Sequence, residues 1–429
     1  MNQTISSSHK IAGEISPPGD KSISHRAALL NSIGKGSAKI RNFCEGDDRN
    51  SMMGCLNLLG AEITEGKIDG EFIIEGNGLW GLSEPSEVLN AGNSGTTMRL
   101  VSGLLSAQKF YSVITGDDSL RFRPMKRITA PLNLMGAQVS GRQNNSFAPL
   151  TFNPSNLKGI EYSMPVASAQ LKSCLLIASL YAQGETIINQ PSDSRDHTER
   201  MLKSMGSNIQ SEGLQIRISS SELNCVDVNI PCDTSGSAFW LVAACCHPNA
   251  KIKIKNVGMN PTRTGVIEVL KMMGANLVLT NESVQGGEPV ADIIASSSNL
   301  KGIEISGEII PRVVDELPIL ALASCFAEGK TTIKNAEELR VKESDRISAT
   351  VDSLKKMSAS IEELPDGMEI NGTGRLSGAI VDSHGDHRIA MTNGIAGLLA
   401  DGETTIQNSE AANVSYPNFW KELSEIQKA

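Results

Sequence analysis

The sequence predicts an α/β protein of two similar halves, each built from three copies of one unit about seventy residues long. Two recurring patterns carry that prediction. Leu- or Ala-rich runs are followed by turn-plus-strand segments of one kind: GKGSAKIRNF, GETIINQP, NAKIKIKNVG, GKTTIKNAEE and GETTIQNSE. Between them lies a second echo, LNLLGAEI (56–63), LNLMGAQV (132–139), LKSMGSNI (202–209), LKMMGANL (270–277) and LKKMSASI (354–361), each a helix end stopping into a strand. The period exceeds the roughly 20–50 residues of common solenoids, so compact multi-copy domains are expected.

The copies begin near Ile11, Val88, Ile160, Val226, Ile303 and Ile380. Their helices are expected to start near Ser22, Asn93, Ser168, Ser235, Asp315 and Asp386, where a capping-type residue precedes an apolar run. The first of these, within PPGDKSISHRAALLNS (17–32), is the most informative. A helix start leaves about four N–H groups unpaired and carries about half a positive charge; Lys21, Ser22 and Arg26 at that point make a place for a phosphate or carboxylate. Gly, Pro and Asp mark two crossings between the halves, near Gly19-Asp20 and Pro231-Cys232-Asp233. The expected domains are an inserted one, 20–232, and a discontinuous one, 1–19 plus 233–429, joined by two hinge crossovers. If every copy aims its helix N-terminus at the crevice between halves, anions are drawn there.

Composition narrows the function. At 429 residues with 40% hydrophobic and 4% aromatic residues the chain has ample core. A net charge of −9 argues against broad affinity for nucleic acid or anionic membrane, so any basic site is local. Eight scattered cysteines without a CxxC pair read as reduced core thiols of a cytosolic protein, and the polar N-terminus and lack of a long apolar run predict no leader and no membrane span. His25, His197, His384 and His387 have no metal-ligand spacing and read as structural histidines; no metal is expected. Ser22 and Ser168 lack a nucleophile-elbow pattern and read as hydrogen-bonding residues.

Charged residues recur near the helix starts: Lys21, Arg26, Arg99, Arg123, Lys172, Arg195, Lys342, Arg346 and Arg388. Each has a bland reading. In LRVKESDR, Lys342 and Arg346 at i,i+4 and Glu343 and Arg346 at i,i+3 suit a solvated, salt-bridged helix face. Asp315 suits an N-cap, Arg123 a loop charge, and Arg388 a cap interaction with Asp386. Recurrence at equivalent places in the copies favours an anion site with carboxylates, Asp315 and Glu343, beside it.

GDKSISHR, NAGNSGTTMR, LRFRPMKR, SAQLK, RDHTE, NPTR, LRVKESDR and GDHRIAM stand in an order that resembles the 5-enolpyruvylshikimate-3-phosphate synthase family, from Lys10 to about Phe419, with a likeness to its class II branch. The resemblance implies two inside-out α/β domains, each of three βαββαβ repeats, and transfer of the enolpyruvyl group of phosphoenolpyruvate to the 5-hydroxyl of 3-phosphoshikimate, without a cofactor. By motif, Lys21, Ser22, Arg26, Ser168, Gln170, Arg195, Asp315 and Lys342 would hold 3-phosphoshikimate. Lys21, Gly95, Arg123, Gln170, Arg346 and Arg388 would hold phosphoenolpyruvate. Lys21, Asp315 and Glu343 would be catalytic: Asp315 as base, Glu343 as acid, Lys21 at the departing phosphate. A cytoplasmic monomer is expected. Two departures stand out: Val414-Ser-Tyr-Pro417 replaces a segment that carries a Lys in many relatives, and Gly95 stands where glyphosate-insensitive class II members often have Ala. The sister transferase acting on UDP-N-acetylglucosamine is disfavoured because the loop TGDDSLRFR lacks its cysteine, RNA 3′-phosphate cyclase by the acidic balance and the lack of a matching histidine motif, and a non-enzymatic repeat scaffold by the placing of charges at helix starts.

Overall fold

The computed structural model describes residues 1–428. The chain divides into two compact units, one of Gly19–Ile230 with Gln285–Glu288 and one of Met1–Pro18, Pro231–Val284 and Pro289–Ala429. Each has its own apolar core.

The Gly19–Ile230 unit carries three four-stranded sheets with one syntax: a short leading strand parallel to its neighbour, then two antiparallel pairings. In two of them the helices Gly95–Leu105 and Ala169–Ser179 follow the leading strands Leu89–Asn90 and Glu161–Ser163. The first sheet is assembled differently. Its helix, Lys21–Ser32, opens the unit, but the leading strand beside Lys35–Arg41 is Val228–Asn229, from the far end. The strand that precedes that helix in the chain, Ile11–Ile15, pairs instead with Ala250–Gly258 in the other unit. There, Asn2–Ser6 also closes a three-stranded sheet with Glu403–Gln407 and Ile380–Asp382.

The repeat helices are apolar on nearly every face, which only a buried helix tolerates. Every residue of Leu317–Cys325 is buried. Thr234–Cys246, Leu317–Cys325 and His387–Leu399 all pack on one another, so the helices lie inside. In the other unit Gly95–Leu105 packs on Ala169–Ser179 so closely that a Cβ on Gly103 would lie 2.3 Å from the carbonyl oxygen of Cys174. Strands such as Glu185–Asn189, with Thr186 and Ile188 buried, turn alternate side chains inward and the rest outward.

Both sequence echoes have a backbone cause. The helix stops at Gly60, Gly136, Gly206 and Gly274 are left-handed, at φ 82°, 96°, 86° and 93°. The fifth, Ser358, takes φ 69° although it has a Cβ. The asparagines after the strands, Asn42, Asn335 and Asn408, are also left-handed. All eight cysteines are free thiols, six of them buried. Burial pushes Cys55 and Cys325 up to about 12 and Cys245 up to about 11, which keeps them unreactive at neutral pH. Among the described residues no helix is long and apolar enough to cross a membrane.

Candidate functional site

The candidate residues fall into two groups, one in each unit. In the Gly19–Ile230 unit, Asp20 caps the first helix by accepting from the Ile23 amide at 2.9 Å, so Lys21 is its first residue and Ser22 its second. One turn on, Arg26 is buried. Its guanidinium donates to Thr198 Oγ1 at 2.6 Å, Ser173 Oγ at 2.7 Å and the Ser22 carbonyl at 2.8 Å. Burial lowers its pKa to about 10; Glu199 and Asp20 pull upward and Arg195 downward, and it is still a cation at neutral pH. Lys172, fully buried, pairs with Glu199 at 2.6 Å and donates to the Ser194 carbonyl at 3.2 Å. Ser168 caps its helix, accepting from the Leu171 amide.

Gly95, Arg123 and Gln170 are brought together through Arg99. Arg99 Nη1 donates to Gln170 Oε1 at 2.7 Å and to the Gly95 carbonyl at 3.3 Å, and Gln170 Nε2 donates to Thr96 Oγ1 at 3.0 Å. Arg123 donates to Asn93 Oδ1 at 2.8 Å. A Cβ on Gly95 would sit 2.7 Å from Arg99 Nη1 and 3.3 Å from Arg123 Nη1, so a side chain here would push the ends of these two arginines aside.

In the other unit Asp315, Lys342, Glu343, Arg346 and Arg388 form one ionic cluster. Arg346, 1% exposed, is its hub: Nε donates to Asp386 at 2.8 Å, Nη2 to Glu343 at 2.6 Å and Nη1 to Asp315 at 3.4 Å. Burial lowers its pKa, but Asp386, Glu343 and Asp315 outweigh that and the net shift is upward. Asp386, fully buried, is pushed up by burial and held below the usual carboxylate range by Arg346 and His387. Lys342 lies 2.9 Å from Glu338 and 3.8 Å from Asp315. Arg388 takes the cap bond from its amide to Asp386 at 2.9 Å, while its guanidinium lies 3.6 Å from Glu316.

These contacts overturn two of the bland readings and leave two standing: Arg388 does make a cap interaction with Asp386, and Arg123 lies in extended backbone after the helix Asp118–Phe122. LRVKESDR is not one helical face: a 3₁₀ turn, Glu337–Val341, ends at an extended Lys342, and Asp345 caps a new helix from Arg346. Asp315 is not an N-cap, because the helix begins one residue later behind Glu316, whose side chain makes no capping bond. The starts expected at Asn93 and Ser235 are capped by Ser94 and Asp233. Residues that sequence spacing missed are Thr198, Ser173 and Asn93, which hold the cations, and Glu316, which faces Arg388. Thr198 and Asn93 stand inside motifs already quoted, which is the signal they gave. Of the histidines, His197 is buried against Glu288 at 2.8 Å, His387 is buried near Asp386, and His384 lies 3.8 Å from Asp352. Among the described residues no group of His, Cys, Asp and Glu is placed to hold a metal ion.

Residues 5–423 match the family model for EPSP synthase (3-phosphoshikimate 1-carboxyvinyltransferase). A 3-phosphoshikimate 1-carboxyvinyltransferase of Thermodesulfovibrio yellowstonii is 51% identical over 433 aligned positions, covering 100% of each chain. One of Thermoanaerobacter sp. is 49% identical, covering 98% of this chain and 99% of its own. Among solved structures, an EPSP synthase from Acinetobacter baumannii superposes with a TM-score of 0.89 at 43% identity, over 99% of this chain and 97% of that one.

Proposed function

The chain belongs to the EPSP synthase family, and from that premise we infer that it transfers the enolpyruvyl group of phosphoenolpyruvate to the 5-hydroxyl of 3-phosphoshikimate, releasing phosphate. The single observation that carries this reading is the Arg346 cluster, in which one buried guanidinium fixes two partly exposed carboxylates, Asp315 and Glu343.

Two phosphorylated reactants repel each other, so the first task is neutralisation and alignment. Lys21, Ser22, Arg26, Ser168, Gln170 and Arg195, with Asp315 and Lys342, serve 3-phosphoshikimate; Lys21, Gly95, Arg123, Gln170, Arg346 and Arg388 serve phosphoenolpyruvate. Arg26 is suited to an anion because its direct hydrogen-bond acceptors are two hydroxyls and a carbonyl, with Glu199 and Asp20 acting on it only through space. Asp315 takes the proton of the 5-hydroxyl as its oxygen bonds to C2 of the enol, and Glu343 gives a proton to C3. Glu343 then takes a proton back from C3 as the C2–O bond to phosphate breaks, which restores the double bond. The hydroxyl proton ends on phosphate, with Lys21 beside the departing group. Orientation of the two reactants is worth about 7–11 kcal/mol of barrier, and each proton transfer about 10²–10⁴ in rate. The working form is a cytoplasmic monomer, which light scattering on the pure protein checks.

Asp315→Asn is the deciding experiment. It keeps the shape and hydrogen-bonding reach of the side chain, so calorimetric binding of 3-phosphoshikimate is retained while kcat falls by about 10²–10⁴. Weakened binding with normal kcat would remove Asp315 from the base role, and a pure protein without turnover on the two substrates would overturn the reading.

A further inference from the structure

Arg263, the last residue of the Asn-Pro-Thr-Arg stretch, has no place in the chemistry above, yet it is a buried cation, 4% exposed. Its Nη2 donates to Asp233 Oδ1 at 3.0 Å and to Ser235 Oγ at 2.7 Å. A hydroxyl has one proton; with Arg263 donating to the Ser235 oxygen, that proton is directed onward. It goes to Glu316 Oε1. Glu316 is 2% exposed and stands at the start of the Leu317–Cys325 helix, where a carboxylate could accept from free amides, but it makes no capping bond. Its Oε1 faces Arg388 Nη1 at 3.6 Å, and its buried Oε2 accepts no hydrogen bond among the described residues.

We propose that Glu316 is a positioning residue for Arg388, aligned by Arg263 through Ser235. This inference rests on the reading of Arg388 as a phosphoenolpyruvate ligand. Two features support it. At 3.6 Å the carboxylate attracts Arg388 without occupying one of its N–H donors, so it can orient the guanidinium and leave its donors for a substrate anion. A carboxylate buried beside a cation also suppresses its rotation, because any other rotamer leaves the buried charge uncompensated. The chain Asp233–Arg263–Ser235–Glu316–Arg388 thus runs from the cap of one repeat helix to the first turn of another.

The test is steady-state kinetics of the full chain carrying Glu316→Gln, Ser235→Ala or Arg388→Lys, with thermal midpoints measured alongside. Glu316→Gln raises KM for phosphoenolpyruvate about tenfold and leaves KM for 3-phosphoshikimate within about twofold; Ser235→Ala moves the first constant in the same direction, about threefold. A Glu316→Gln protein with an unchanged KM for phosphoenolpyruvate, or with both constants raised alike, overturns the proposal. If Glu316→Gln does not fold, Ser235→Ala decides by the same selectivity. Arg388→Lys separates the two claims. If it leaves KM for phosphoenolpyruvate unchanged, the reading of Arg388 is wrong; if it raises that constant while the Glu316 and Ser235 variants do not, only the positioning role is wrong.

Discussion

Arg26, one turn into its helix, and Arg346, the first residue of its own, are both buried guanidiniums, and their hydrogen-bond partners are opposite in kind. Arg26 is held by two hydroxyls and a carbonyl, and burial drags its pKa down to about 10. Arg346 is held by three carboxylates, and its pKa is driven up in spite of burial. A cation with neutral acceptors keeps its charge for an incoming anion, whereas one ringed by acids spends its charge on fixing those acids in place. The difference supports the proposed tasks: a phosphate for the Arg26 group, and for the Arg346 group the holding of proton-transferring carboxylates beside phosphoenolpyruvate.

Replacing each arginine by methionine puts that contrast to its most severe test. Arg346→Met leaves Asp386 buried without its cation and lowers unfolding free energy by about 3–5 kcal/mol in urea titrations. Arg26→Met removes a costly buried charge, and Ser173 and Thr198 already lie in mutual hydrogen-bond contact at 2.7 Å, so stability stays within about 1 kcal/mol while affinity for 3-phosphoshikimate collapses. Equal losses in the two variants would erase the distinction. A second measurement uses pH. Because the folded pKa of Asp386 is depressed, the stability it confers is whole above the ordinary carboxylate value near 4 and is lost as pH falls through the depressed value. Asp386→Asn is therefore less stable than the parent by about 3 kcal/mol at pH 7, and the gap closes as pH falls through the depressed value. A gap independent of pH would mean that charge pairing is not the cause.

The smallest effect probes the repeat away from both sites. Ser358 stands exposed at φ 69°, where four sister positions have glycine. Ser358→Gly raises stability by about 1 kcal/mol, read from the urea midpoint, with kinetics untouched. A loss of stability would mean that the serine side chain contributes more than its strain costs.

That residue also marks what the sequence can express. The helix stops were legible because one backbone conformation recurs and glycine serves it in four copies out of five. The capped starts were legible to within one or two residues, since Asp20, Ser94, Ser168, Asp233 and Asp386 are all capping types. The Arg346 hub was not. Its i,i+3 partner Glu343 fits a solvated helix equally well, and what buries the arginine is Asp386, forty positions away in the chain. Nor can spacing choose between the adjacent carboxylates Asp315 and Glu316; the turn between the helices Ile310–Val313 and Leu317–Cys325 sends the first to Arg346 and the second to Ser235 and Arg388.

The exchange of leading strands sets an order of events during synthesis. Asn2–Ser6 is made long before its partner Glu403–Gln407 and waits for it with open edges, whereas Ile11–Ile15 waits only for Ala250–Gly258. The Gly19–Ile230 unit has its last strand, Val228–Asn229, as soon as the middle of the chain emerges. It can mature while Asn2–Ser6 is still unpaired, and that strand is the natural client for a chaperone.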